Sequence, residues 1–293
     1  MNTWGPGSKR AAIDELRGEI CEKMKAFTLH LRYELAAIIR NRTLLLMNYL
    51  MPLGFYLLMG GVMTEINPFF ADQMIPAMVT FAVLSATIMG VPTPLIEDRE
   101  AGVLRAYRVH GIPGWSLITV PVVATGLHVG LVSLIIAISA PVLFGAPAPE
   151  NPIAFVAVVA LTFFALAGMG SLIGVISANG RIAILWQQTV FLPTMLLGGL
   201  MVPTEMLPDV FARVGHLFPA TYGMQALLGL AFARETSYPG HYAVSTLLIG
   251  GLLSFFLVHR LFSWDDRESG RSHPALAALA LLPYVTGALL LPL

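Results

Sequence analysis

Charged side chains at close spacing occur in few places along this chain, and those places set the chemistry it could perform. The most highly charged short stretch beyond the amino-terminal arm is EDREAGVLRAYRVHGIP, Glu97 to Pro113. There Glu97, Arg99, Glu100, Arg105 and Arg108 surround Gly102, while Val103, Leu104 and Tyr107 offer a small apolar face. A short helix of this kind suits docking into a groove on a soluble partner. The plainer reading is a solvated loop whose arginines only fix topology. A second polar set, Glu205, Asp209 and His216, has helical spacing that spreads it over different faces, a poor arrangement for acid–base catalysis. His128 stands alone in a long apolar run, where a hydrogen-bonded packing role competes with a functional one. Cys21 is the only cysteine and cannot form an internal disulfide.

Other chemistries lack their motifs. The sequence has no GxxxxGK[ST] phosphate loop, so the chain is not expected to bind ATP in that manner. It also has no HExxH, no Cys and His cluster with zinc spacing, and no GxSxG elbow. No cofactor, metal or catalytic residue is therefore expected. Basic residues do not alternate with aromatics, which argues against nucleic-acid binding.

The elements that position the polar residues are apolar. Hydrophobic residues make up 56% of the 293 and charged residues 12%, about half the charged share of a soluble domain. Spanning a bilayer takes about 20 mostly apolar residues. Six segments meet that test: Leu44 to Met63, Met74 to Leu95, Leu117 to Leu143, Ile153 to Ala178, Ile182 to Val202, and Tyr242 to Phe262. Among their residues only Arg260, in the last turn of the sixth, is charged. They lack the alternation a barrel needs, so the expected fold class is all-α: a polytopic helical membrane protein with six transmembrane helices. Ala275 to Leu293 is a candidate seventh that contains Pro283 and Pro292, and it reads either as a true span or as a hairpin that never crosses. The first forty residues lack the apolar run of a signal peptide, so membrane entry is expected to use the first span.

Lys and Arg set the orientation. All but Arg213 and Arg234 of the 17 fall on one side of the expected spans. Glu65, Asp72, Glu150, Glu205, Asp209 and Glu235 fall on the other. This predicts a multi-pass protein of the cell membrane with a cytoplasmic amino terminus. The expected domains are a cytoplasmic arm over 1–43, a six-span body over 44–262, and a linker with a hydrophobic segment over 263–293. Within the arm, Phe27, Leu31, Leu35 and Ile38 form a helical stripe with charges off it, the pattern of an amphipathic helix at the interface. The 203–241 segment is far longer than its neighbouring connections. It predicts two short helices that dip into the outer leaflet or cap the bundle, the first placing Val210, Val214 and Leu217 on one face. Gly126 and Gly130, and Gly170 and Gly174, have the spacing of close helix contacts. Gly198 and Gly199, flanked by Pro193 and Pro203, mark where the fifth span could loosen for gating.

Two motifs resemble the ABC-2 type permease family, the membrane subunits of many bacterial drug and polysaccharide exporters. Glu100, Gly102, Leu104, Arg105 and Pro113 match its pattern after the second span, with Val103 where Thr is usual. In LPTMLLGGLMVPTEMLPDVFARVGHLFPATYGMQALLGL, the match comprises Gly198, Gly199, Pro203, Glu205, Leu207, Pro208, Pro219, Tyr222, Ala226 and Leu230. The resemblance covers roughly 27–262. It implies an exporter in which two permeases, identical or paralogous, each bind an ABC ATPase subunit that holds the ATP. Glu97, Arg99, Glu100, Gly102, Leu104, Arg105 and Arg108 would then belong to the coupling helix. Gly198, Gly199, Pro203, Glu205, Pro208, Pro219 and Tyr222 would belong to an extracellular re-entrant gating motif. Cargo would pass near spans two and five, and charge-free walls suit an amphipathic or hydrophobic small molecule. A membrane-embedded lipid-modifying enzyme, a partner-free carrier and a non-transporting scaffold are the alternatives. A carrier would need an ion-coupling site near the midplane, and none is evident in the spans.

Overall fold

A computed structural model describes residues 28–29, 31–32, 34–36, 39–67, 70–110, 112–202, 204–264 and 274–290. Among these residues all regular structure is helical. The principal helices are α1 (Arg42–Ile66), α2 (Phe70–Glu100), α3 (Val103–Val109), α4 (Gly114–Phe144) and α5 (Pro152–Ile176). They continue as α6 (Gly180–Leu197), α7 (Asp209–Gly215), α8 (Pro219–Ala226), α9 (Gly240–Leu261) and α10 (Ala275–Leu289).

Local chemistry sets where these helices begin and end. The Asn41 side chain accepts from the Thr43 and Leu44 amides, Asn151 from Ala154, and Asn179 from Ile182, so asparagines cap α1, α5 and α6. Pro152, in the first turn of α5, needs no amide partner there. Two helices carry a widened π turn, Leu46–Leu50 in α1 and Ser85–Gly90 in α2, and the two turns face each other. Side chains serve the nearby carbonyls: Asn48 donates to Leu44, and Ser85 donates across to Met47. Such partners are needed where no water reaches the backbone.

Among the described residues five helices, α1, α2, α4, α5 and α9, are long and apolar enough to cross a membrane. The segment expected from Ile182 to Val202 is shorter than predicted. Its helix, α6, starts at Gly180 and stops at Leu197 after 18 residues, a rise of about 27 Å. Gly199 takes a φ of 81°, a left-handed conformation that ends α6 and that only glycine adopts without strain. Arg181, Gln187 and Gln188 also lower the apolar character of α6. The second span is longer than predicted: α2 starts at Phe70 and runs without a break to Glu100.

The bundle is built around α2, whose most apolar stretch is 94% buried against 28–56% for the other four. It packs on α1, α4, α5 and α8, and α5 packs along α9. On α4, Leu127, Leu131, Leu134, Ile135, Ile138 and Val142 point outward, while Val129, Val132 and Ile136 face the bundle. Outward aliphatic chains suit lipid, and inside the bundle close packing replaces the hydrophobic drive. Of the small-residue pairs, Gly170 lies against the Thr87 carbonyl and Gly174 against Pro92, whereas Gly130 has open space beside it. His128 is buried and bonds the Tyr49 hydroxyl, so it joins α4 to α1 as a packing residue.

The two ends of the bundle are distinct. Connections 101–113, 177–179 and 262–264 share one end, where Gly114 lies beside Phe262 and Trp264. Connections 67–69, 145–151 and 198–239 share the other. There Arg234 and Asp72 form an exposed ion pair at 3.0 Å, and the Asn151 amide donates to the Ala231 carbonyl. This is the partition that the Lys and Arg count predicted.

Candidate functional site

The charged stretch Glu97 to Pro113 is two helices and a corner rather than one helix. α2 continues to Glu100, and the chain then turns at Ala101 and Gly102 into α3. Gly102 has a φ of 73°, so a side chain there would strain the backbone. The Gly102 amide donates to the Arg99 carbonyl at 3.0 Å, which closes the turn.

The apolar face of α3 serves the chain itself. Leu104 is 1% exposed and joins Leu95, Leu117, Leu172, Val175, Leu257 and Val258 in one cluster. Val103 and Tyr107 are half-buried beside it. The predicted docking face is therefore spent on anchoring α3, and the opposite face is the exposed one. Arg105, Ala106, Arg108 and Val109 are exposed there, Val109 at 85%.

Two side chains bolt this corner to the turn between α5 and α6. Arg99 is 3% exposed, and its Nη1 donates to the carbonyls of Gly174 (3.2 Å) and Ser177 (2.9 Å). A guanidinium at the carboxyl end of α5 also meets the negative pole of that helix. Arg99 thus faces inward. Glu100 Oε1 accepts from the Gly180 amide at 2.8 Å, so this carboxylate sits on the positive pole of α6. Glu97 is exposed at the same corner. A crevice of about 210 Å³ opens between the corner and Trp264, lined by Arg99, Glu100, Gly102, Leu104 and Arg105.

The described helical residues of the amino-terminal arm also pack against the bundle. Leu31 and Leu35 pack against Leu44 and Ala124, while Phe27 and Ile38 lie outside the described residues. Glu34 lines a small crevice together with Asp98. Burial, and then the charge of Asp98, push the Glu34 carboxyl above its ordinary value.

At the other end, α7 and α8 differ sharply. Val210 and Phe211 on α7 are 70% and 51% exposed, so this helix turns apolar side chains outward. Every residue of α8 is buried, Tyr222 completely. Gly223 lies against Thr162, which is ten residues into α5, roughly 15 Å from its start. α8 is thus re-entrant: it begins inside the bundle and climbs through the π turn Leu227–Ala231 back to the end where it entered. Of the two placements expected for the second helix, dipping inward or capping the bundle, α8 takes the first. Gly198 is buried where α6 ends and its backbone approaches Thr221 of α8. Pro208 precedes α7 and is exposed, and Pro219 opens α8. Pro203 lies outside the described residues, and of Glu205 only the backbone, a short 3-10 turn, is described.

The candidate catalytic set does not converge. Asp209 is exposed, whereas His216 is 5% exposed among Tyr222 and Tyr238. Burial holds the His216 imidazole below its ordinary value. The Tyr238 hydroxyl, also outside the spans, is raised by burial. Sequence reading missed this tyrosine cluster, because Tyr222, Tyr238, Tyr242 and Tyr284 come from separate elements with no common spacing.

Comparison with known proteins agrees with this architecture. The model of the ABC-2 type transporter family matches residues 25–232. Over 101 residues the chain is 31% identical to Nodulation protein J of Sinorhizobium fredii (strain NBRC 101917 / NGR234). That match covers 34% of this chain and 38% of the relative, so it spans well under half of either. With the family match covering both the corner and the re-entrant helix, the chain belongs to the ABC-2 type transporter family.

Proposed function

We propose that this chain is the transmembrane permease subunit of an ABC exporter, driven by a separate ABC ATPase subunit. It moves an amphipathic or hydrophobic small molecule out of the cell by alternating access. The observation that carries this reading is the corner at 97–109. There α3 presents two arginines and a valine to solvent from an anchored base, and Glu100 ties that base to the foot of α6. A rigid, exposed, charged helix fits the groove of a soluble partner. A displacement of α3 would pass through the Glu100 carboxylate to α6, and from Gly198 at the far end of α6 to α8. Alternating access needs such packed elements with two arrangements.

The charge count supports a reading in which the corner and the amino terminus lie in the cytoplasm of a bacterial cell and the re-entrant helix at the outer face. Two permeases, identical or paralogous, would pair in the bilayer of the cell membrane. α2 is enclosed by its own bundle, so of the elements implied for the cargo path α6 supplies the available face, through Leu185, Leu192 and Leu196. ATP would be held by the partner, since the chain has no phosphate loop of its own.

The test is coexpression with the cognate ATPase subunit followed by vesicle transport. The two should copurify, and the chain should raise ATP turnover. Glu100→Ala and Gly102→Ala should lower cargo moved per ATP while membrane insertion stays normal. Unchanged cargo flux in both variants argues against a coupling role for the corner.

A further inference from the structure

The family match ends at residue 232, and α10 lies beyond it. Ala277, Ala280, Tyr284 and Gly287 recur at intervals of three and four, and all four are buried. Leu276, Leu279, Leu282 and Leu289 occupy the remaining faces and are exposed. Small residues inward with leucines outward is the pattern of a helix between protein and lipid. A helix on a water-soluble surface would reverse it.

Contacts along that stripe run from one end of the bundle towards the other. Ala277 and Ala280 join the cluster that holds Leu104, Leu257 and Val258, at the corner end. Halfway along, the Tyr284 hydroxyl occupies the space a Cβ on Gly250 of α9 would fill. The Tyr222 hydroxyl of α8 does the same at Gly287. The two rings lie 5.8 Å apart, and Tyr222 donates to the Tyr284 carbonyl at 3.4 Å. Further on, Ala288 and Leu289 face Arg213, Val214 and Leu217 across a cavity of about 280 Å³. α10 therefore lies antiparallel to α9.

Its length suits a short crossing. Residues 278–281 form a 3-10 turn that leads into Pro283. With the longer rise of that turn the 15 residues cover about 25 Å. The hydrocarbon core is about 30 Å thick, a shortfall that local thinning of the bilayer absorbs.

We infer that residues 275–289 form a seventh membrane crossing, and that its Tyr284 braces the re-entrant helix at Tyr222. Each half has its own test. A phosphatase active only outside the cytoplasm and a fluorescent protein that folds only inside it are fused in turn to each end of the full chain. Reporters on opposite sides of the membrane support seven crossings, and both ends on the same side overturn them. For the brace, Thr221→Cys is introduced into a Cys21→Ser background and labelled with a membrane-permeant maleimide. Thr221 is fully buried in α8, so its labelling reports local opening. Tyr284→Ala should speed labelling about tenfold. Tyr284→Phe should leave it unchanged, because the Tyr284 hydroxyl has no hydrogen-bond partner among the described residues. Gly250→Leu, which evicts the ring, should act like Tyr284→Ala. Thr80→Cys, buried in α2, should label at the wild-type rate throughout. No acceleration at position 221, or an equal acceleration at position 80, overturns the brace.

Discussion

The corner at 97–109 and the re-entrant region at 198–240 are held by different kinds of interaction. Beside the packing of Leu104, the corner depends on a few directed polar contacts, Arg99 on two carbonyls and Glu100 on one amide, followed by a left-handed glycine. Its outward surface is charged, with Arg105 and Arg108 exposed. The re-entrant region is nearly the reverse. α8 is enclosed on all sides and is held by packing against α5, α9 and the tyrosine cluster. Directed contacts transmit displacement because they fix distance and angle, whereas broad packing resists small displacements and yields between discrete arrangements. A receiver at one end and a gate at the other would divide these properties in this way.

That contrast can be broken at the corner first. Arg99→Met leaves the Gly174 and Ser177 carbonyls without their donor in a buried place. The expected cost is roughly 1–3 kcal/mol, read as a fall in melting temperature of the detergent-solubilised protein. Gly102→Ala should cost about 1 kcal/mol through the left-handed backbone alone. Its effect on coupling should exceed its effect on stability, because the turn aims α3. If both variants melt like wild type, the corner is not held by the contacts described here.

The outer region sharpens the contrast through pH. The His216 imidazole is held below its ordinary value of 6.5 by burial, so the folded state favours the neutral ring. Its contribution to stability is therefore complete above 6.5 and is lost as the pH falls below it. Melting temperature should drop on acidification through that range, and His216→Gln should flatten the slope. The smallest effect is expected from Arg234→Ala. The ion pair with Asp72 is about half exposed on both sides, so its loss should cost less than about 0.5 kcal/mol.

Much of this plan is legible in the sequence because a bilayer penalises charge so heavily. Runs without Asp, Glu, Lys or Arg located the helices, and the loop arginines sorted the two ends as the Asp72–Arg234 pair later did. Helix phase was not legible. Nothing in the spacing of Val103, Leu104 and Tyr107 says that they face the bundle rather than a partner, since either apolar surface would bury them. Arg99 read as one more loop charge, and only the position of the α5 terminus reveals it as a cap. The depth of α8 was hidden for a related reason. The mainly apolar stretch Ala220 to Phe232 is too short to span, and its burial depends on a space left by α5, α9 and α10 together. The end of α6 was overrun because Leu200 and Val202 continue the apolar run past the left-handed Gly199.

The central claim is that an external ATPase grips the outward face of α3. It is tested most directly by ATP turnover of the cognate ATPase subunit, reconstituted with either the wild-type chain or the Arg108→Glu, Val109→Glu double variant. Both side chains are exposed, Val109 at 85%, and neither belongs to the cluster that holds Leu104, so the variant should insert and melt normally. The account predicts that the wild-type chain raises turnover several-fold and that the variant returns it to the level of the ATPase alone. Full stimulation by the double variant, or cargo flux through the chain without any ATPase, would contradict it.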